Sequence, residues 1–306
     1  MGTEEALEMA IKESIEVLGV DDQLGSEGGG GSRWKWQGAW WHMATFLEMG
    51  ESWRIPESSI HMALDLLKLR TWPKFVVDRE DGPQRDEDRS KMDCCHCELA
   101  VFYMILRDWG VDVDVEVPWI RAWFLKHQLP DGGLNCTPDA YGDSMKSSLV
   151  STLPPLEAVL LYTDCDYTEE EKRFLDEGAR YLIEHRLCRA KADGRLLNED
   201  WLKPSFPRFF EYDILRGMRF LVEWSRRREK SVPAKVLREG LQLLEPCVEG
   251  DSVFVGSRVW GRDGRWESES FRLLLETGQV GHRNPWLSEE YRSVLASLRS
   301  EELPEL

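Results

Sequence analysis

The stretch that most constrains this 306-residue chain reads Trp119-Ile120-Arg121-Ala122-Trp123-Phe124-Leu125-Lys126-His127-Gln128-Leu129-Pro130-Asp131-Gly132-Gly133-Leu134-Asn135-Cys136. Trp119, Ile120, Trp123 and Phe124 recur at helical spacing, so the first half is expected to form a helix with one apolar side. Pro130 does not continue a helix, and Gly132 and Gly133 tolerate positive φ, so the chain stops there and turns back. A helix that buries two tryptophans and then reverses is one arm of a helical hairpin.

The flanking sequence repeats that logic. Asp193-Gly194 and Asp263-Gly264 are two more Asp-Gly turns beside helices, the trace that degenerate hairpin repeats would leave. Cys94 to Trp109, opened by Ser90-Lys91-Met92-Asp93 as a capping-box variant, is apolar on nearly every face, with only His96, Glu98, Arg107 and Asp108 interrupting. Leu149 to Tyr162 is a second such helix, expected to break near Pro154-Pro155, and Thr168 to Glu171 is a capping box that starts a helix to Leu187. Further helices are expected at Glu5–Leu18, Trp34–Met49, Glu57–Arg70, Glu211–Trp224, Pro233–Leu244, Phe271–Glu276 and Glu289–Leu298, about eleven in all by spacing. No segment alternates as a strand does; Asp112 to Val117 comes closest.

The fold class is therefore all-α. A closed ring of hairpins is preferred to an open stack, because an open stack needs polar capping repeats and the all-round apolar helices need neighbours on every side. Three segments are expected: an N-terminal helix over 1–25, a glycine-rich linker over 26–33, and one helical domain over 34–306.

Composition excludes several partners. A net charge of −17 disfavours nucleic acid and anionic membrane surfaces, whose affinity comes from Lys and Arg. No apolar run approaches the roughly 18 residues of a membrane span. Seven cysteines without framework spacing point to a reducing compartment, and the acidic first helix has no signal-peptide core, so a cytoplasmic location is expected. Fourteen tryptophans suit a broad cavity wall as well as a core.

The apolar helix closed by Gln128 to Gly133 resembles the repeat signature of the terpene cyclase and protein prenyltransferase α/α-toroid superfamily. The resemblance extends from Asp93 to Arg227 and is strongest to a bacterial branch that shares Cys95-His96-Cys97, Phe206-Pro207-Arg208 and Tyr212-Asp213-Ile214-Leu215-Arg216-Gly217. It implies an α/α toroid around an apolar cavity that takes a hydrophobic small molecule, with isoprenoids as one candidate class. The cyclase acid motif Asp-x-Asp-Asp is incomplete at Asp112-Val113-Asp114-Val115 and at Asp164-Cys165-Asp166-Tyr167, which lack the neighbouring carboxylate that holds the proton, and both fall at helix ends, where Asp is common as a cap. The prenyltransferase zinc set is matched only by Asp93-Cys94-Cys95, with His127 and His185 as distant candidates. No cofactor is the main expectation; zinc at Cys94 and Cys97, spaced i and i+3, is the alternative to two buried hydrophobic cysteines.

Site residues follow from the third cluster of words. Asp213 and Tyr212 are candidate acid or base residues, with His96 beside them in role, and Arg208 and Arg216 are candidates for an anionic head group. Trp123, His127, Trp201 and Phe206 are candidates for the apolar wall. The plain alternative is an Asp213–Arg216 ion pair at a hairpin junction, with Asp131 and Asn135 bonding their own turn. Function is thus expected to be that of a terpene cyclase- or prenyltransferase-like enzyme, or of a non-catalytic ligand-binding or scaffold protein on the same fold.

Overall fold

The computed structural model describes residues 3–20, 38–69, 72–73, 93–142, 145–163, 166–259 and 271–299. The glycine-rich linker, Trp34 and Trp36, Ser90 to Met92, Asp164-Cys165 and the turn at Asp263-Gly264 lie outside these residues. The described residues are mostly helical, with twelve α-helices, none of them long and apolar enough to cross a membrane.

Helix α1 (Thr3–Val20) buries Ala10, Ile11 and Leu18. It packs against α2 (Ala39–Met49) and α3 (Glu57–Leu69), where the Ser59 hydroxyl donates to the Leu18 carbonyl at 2.8 Å. Helix α4 (His96–Trp109) buries every residue from Leu99 to Leu106, which fits its all-round apolar sequence and places it among α2, α3 and α7 (Leu149–Leu161). It starts two residues later than expected, since Asp93-Cys94 is the short strand β2, paired in parallel with β1 (Trp72–Pro73). Asp112 to Val117, the most strand-like stretch by sequence, is instead the one-turn helix α5 (Val113–Glu116), because the Asp112 carboxylate accepts from the Val115 N–H and caps it.

Helix α6 (Trp119–Lys126) ends at the His127 cap, three residues before the expected stop at Pro130. The turn after it is closed by Leu129 N–H to Gly133 O and Gly132 N–H to Leu129 O, both 2.8 Å. Gly132 sits at φ +97°, and a Cβ there would lie 2.3 Å from the Glu177 carbonyl oxygen of α8 (Glu169–Glu184). Gly133 has no more room, since its Cβ would lie 2.5 Å from that of Ser147. The two glycines therefore bring the hairpin turn onto the next hairpin, with Gln128 Nε2 bridging Gly132 O and Phe174 O at 2.8 Å each.

Helix α7 runs unbroken through Pro154 and Pro155, contrary to expectation. A proline in a helix interior costs about 3 kcal/mol, but burying each of Leu149, Leu153, Leu156 and Leu160 against neighbours contributes about 1.5–3 kcal/mol. Packing on every side outweighs the lost backbone bonds. The Thr168 capping box forms as expected, with Thr168 N–H on Glu171 Oε2 at 2.8 Å and Glu171 N–H on Thr168 Oγ1 at 3.2 Å.

Asp213 lies just outside α9 (Ile214–Arg228) and caps it, so the helix begins three residues after the expected start. Helices α10 (Ala234–Leu244), α11 (Arg272–Thr277) and α12 (Pro285–Arg299) follow. Between α10 and α11 the chain makes the hairpin β3 (Val248–Glu249) and β4 (Ser252–Phe254), to which β5 (Arg283–Asn284) adds antiparallel, with Val253 opposite both Val248 and Asn284. These short strands are absent from the sequence expectation because two or three residues are too few to show alternation.

Two series of helix contacts organise the packing. α2 meets α4, α4 meets α7, α7 meets α9 and α9 meets α12. At the start of α12 the Trp286 indole N–H donates to Met49 O at the end of α2, 3.1 Å away. The second series adds α3 on α4, α8 on α7 and α9, α10 on α9, and α11 on α1.

Candidate functional site

Each helix of the first series brings side chains to one cavity of about 370 Å³: Glu48 from α2, Met104 and Asp108 from α4, Glu157 and Leu161 from α7, Arg216 and Arg219 from α9, Trp286, Glu289 and Glu290 from α12. Arg208, in the segment before α9, joins them. The wall is mixed in character: Leu47, Met49, Met104, Leu161 and Trp286 are apolar, but five carboxylates and three guanidiniums share it.

The guanidiniums are already engaged. Arg208 makes a bidentate pair with Glu290, at 2.7 and 2.8 Å, and reaches Glu48 at 3.2 Å and Asp213 at 3.8 Å. Arg216 closes on Glu157 at 2.6 Å and spends its remaining donors on the carbonyls of Phe209 and Glu211, both at 2.8 Å. Arg219 lies 3.4 Å from Glu290. Glu48 also accepts the backbone N–H groups of Arg208 and Phe209. With Asp213 the network holds one more acid than arginine, and burial pushes the Glu48 and Asp213 carboxyls above their ordinary range against the pull of Arg208. Burial works on Glu290 too, but there Arg208 and Arg219 win and hold it below that range.

The sequence-derived residues divide between this cavity and other places. Arg208 and Arg216 line it, and Asp213 stands behind Arg208. The expected Asp213–Arg216 side-chain pair does not form: Asp213 Oδ1 accepts the Arg216 backbone N–H at 2.9 Å, while the guanidinium turns to Glu157. An N-cap residue faces along the helix axis, so i and i+3 spacing does not bring its carboxylate to the later side chain. Tyr212 is buried away from the cavity wall, its hydroxyl donating to Leu187 O at 2.7 Å, with the Trp201 ring edge-on at 5.1 Å. Phe206 lies behind the wall, stacked on Trp286 at 4.8 Å. Glu48 and Glu157 are the only acids of their helices and Glu290 sits beside Glu289 on α12, so nothing local in the chain sets any of them apart as a cavity residue.

His96, Trp123 and His127 form a separate group. Trp123 Nε1 donates to His96 Nδ1 at 3.0 Å, and His96 Nε2 meets the Tyr141 hydroxyl at 3.0 Å. An indole is only a donor, so His96 carries its proton on Nε2, and burial pulls the imidazole down to about 4. His127 stacks on Trp123 at 3.7 Å and bonds Trp123 O at 2.9 Å, which resolves it as a cap of α6.

Beside His96 three thiols converge. Cys95 caps α4, Cys97 is in its first turn, and Cys136 follows the Gly132-Gly133 turn. The Sγ atoms of Cys95 and Cys97 are 2.9 Å apart and those of Cys97 and Cys136 3.5 Å, and all three lie within 4.8 Å of one another, a grouping able to hold a metal ion. Of the expected metal pair, Cys97 belongs to this group and the side chain of Cys94 lies outside the described residues; Cys95 and Cys136 are the group's other members. Cys136 is 39 residues from Cys97, so helical spacing alone does not find it. Hydrogen bonds from the thiols of Cys95 and Cys97 drive the Cys136 thiol down, while bonding to Cys136 pushes those two up.

Comparison of the chain with family models, with curated proteins and with solved structures finds no match.

Proposed function

We propose that this chain is an α/α toroid whose cavity binds a small molecule with an apolar body and a neutral or cationic polar end. The observation that carries this reading is the cavity itself: five successive inner helices contribute to its wall, and each of its three arginines is paired with a carboxylate. A ring is supported by the contact series from α2 to α12 together with the Trp286 bond back to Met49. The volume is at the low end for ligand pockets, which run from about 300 to 1,000 Å³, so a short isoprenoid fits the proposal better than a triterpene.

The electrostatics favour binding over the cyclase and prenyltransferase chemistries. Alkene protonation needs a strong acid, whereas burial makes Glu48 and Asp213 weak ones. A diphosphate needs uncommitted cations, and five carboxylates would repel it. The Asp-Cys-His zinc set that the resemblance implies has no support from its histidine candidates, since His127 and His185 bond backbone carbonyls at 2.9 and 2.7 Å.

The test is a binding series by calorimetry on the full chain with one C10 prenyl skeleton carrying an alcohol, an amine or a diphosphate. The alcohol and amine are expected to bind at least tenfold more tightly than the diphosphate. Tighter diphosphate binding, or conversion of it to product, overturns the proposal.

A further inference from the structure

We propose that Cys95, Cys97 and Cys136 are a three-thiolate site for one soft metal ion, zinc in the first instance, set between the start of α4 and the loop that follows the Gly132-Gly133 turn. None of the three lines the cavity, so this site stands apart from the small-molecule reading.

Geometry comes first. With Zn–S near 2.3 Å, two sulfurs on a tetrahedral ion lie roughly 3.8 Å apart. The observed separations, 2.9 and 3.5 Å within a group no wider than 4.8 Å, lie around that value, so side-chain rotation of under about an ångström admits the ion. A disulfide is much shorter, near 2.05 Å, and would use only two of the three sulfurs.

The backbones that carry the ligands are held independently of any metal. Cys95 N–H rests on Glu98 Oε2 at 3.4 Å, and Cys136 N–H on the Ser151 hydroxyl of α7 at 3.1 Å. Asn135 N–H rests on the Tyr141 hydroxyl, which donates in turn to His127 O. Two of the thiols sit at the N-terminal end of a fourteen-residue helix, where the helix dipole offsets part of the negative charge that bound thiolates bring. Cys97 is buried and Cys136 is half-buried.

Ligand chemistry then selects the metal. Three sulfurs suit zinc or copper(I), not magnesium or calcium. His96 does not complete the set as it stands, because Trp123 and Tyr141 engage both its ring nitrogens. Among the described residues the group supplies three sulfurs, with the Glu98 carboxylate 3.5 Å from Cys95 Sγ beside it. Binding takes all three sulfurs as thiolates and releases to solvent whatever protons the free thiols still hold.

The experiment uses the full chain, purified under reducing conditions without chelator, then titrated with zinc and separately with cobalt(II). One equivalent of zinc is expected, and cobalt is expected to give thiolate-to-metal charge-transfer absorption of three-sulfur intensity. Cys136→Ser and Cys97→Ser are each expected to weaken zinc binding at least ~100-fold, by more than the loss of an outer-shell partner does; Cys247→Ser, remote from the group, is expected to leave it unchanged. No charge-transfer band in the unmutated protein, or zinc binding indifferent to both substitutions, overturns the proposal. So does a disulfide between any two of the three cysteines in the reduced preparation.

Discussion

Arg216 of α9 and Glu157 of α7 meet in a buried pair, Nη2 to Oε2 at 2.6 Å, with Nε 3.0 and 3.1 Å from the two carboxylate oxygens. Both side chains are almost wholly screened from water. Removing one partner leaves a charge buried without compensation, which costs roughly 3–5 kcal/mol. Glu157→Gln and Arg216→Met are each expected to lower the unfolding free energy by that order, read from denaturant midpoints. The double variant Glu157→Leu/Arg216→Met is expected to recover most of the loss; equal or additive destabilisation would show that the pair is not the source.

Glu48 makes stability depend on pH in an unusual direction for a carboxylate. Its folded-state value lies above the ordinary 4.5 because burial outweighs Arg208 and Arg216, so the folded protein holds a proton that the unfolded chain has released. That contribution is fully present below about pH 4.5 and is lost as pH rises through the raised value. Asp213, faced by Arg208 and Glu290, is shifted the same way. Glu48→Gln is expected to remove this part of the slope, so that wild-type minus variant stability falls from pH 4.5 upward. A difference that is flat, or rises, contradicts the assignment.

Gly132 and Gly133 are expected to resist substitution for two separate reasons. At Gly132, φ of +97° and a Cβ only 2.3 Å from Glu177 O act together. Gly132→Ala is expected to cost about 2–3 kcal/mol, with strain of this backbone region worth about 1–3 kcal/mol by itself. Gly133→Ala meets Ser147 and Thr152 side chains, which yield more easily than backbone, so the smaller loss is expected there. Thermal unfolding of the two variants checks the order.

Tyr212→Phe separates a structural hydroxyl from a reactive one. The hydroxyl donates to Leu187 O at 2.7 Å in a buried setting, and removing it leaves that carbonyl unsatisfied, a loss of about 1–3 kcal/mol. Ligand affinity of the cavity is expected to stay within twofold, since Tyr212 does not line it. A variant of unchanged stability and altered ligand affinity would return Tyr212 to the site.

What the sequence by itself determined is local and periodic. The helix that begins at Trp119, the chain reversal at Pro130-Asp131-Gly132-Gly133, the Thr168 capping box and the all-round burial of α4 follow from spacing, proline and glycine geometry, and the need of apolar faces for neighbours. Arg208 and Arg216, singled out in the sequence beside a distinctive aromatic and proline segment, both line the cavity. What only the tertiary structure decided is who meets whom. Glu157 is an isolated acid on an apolar helix until α9 delivers Arg216 to it, and Cys136 is an ordinary loop cysteine until the glycine turn folds it onto the start of α4. Pairings across 59 and 39 residues leave no periodicity in the chain. They arise only when packed helices bring distant side chains into one low-dielectric space, where charges and thiols must find partners.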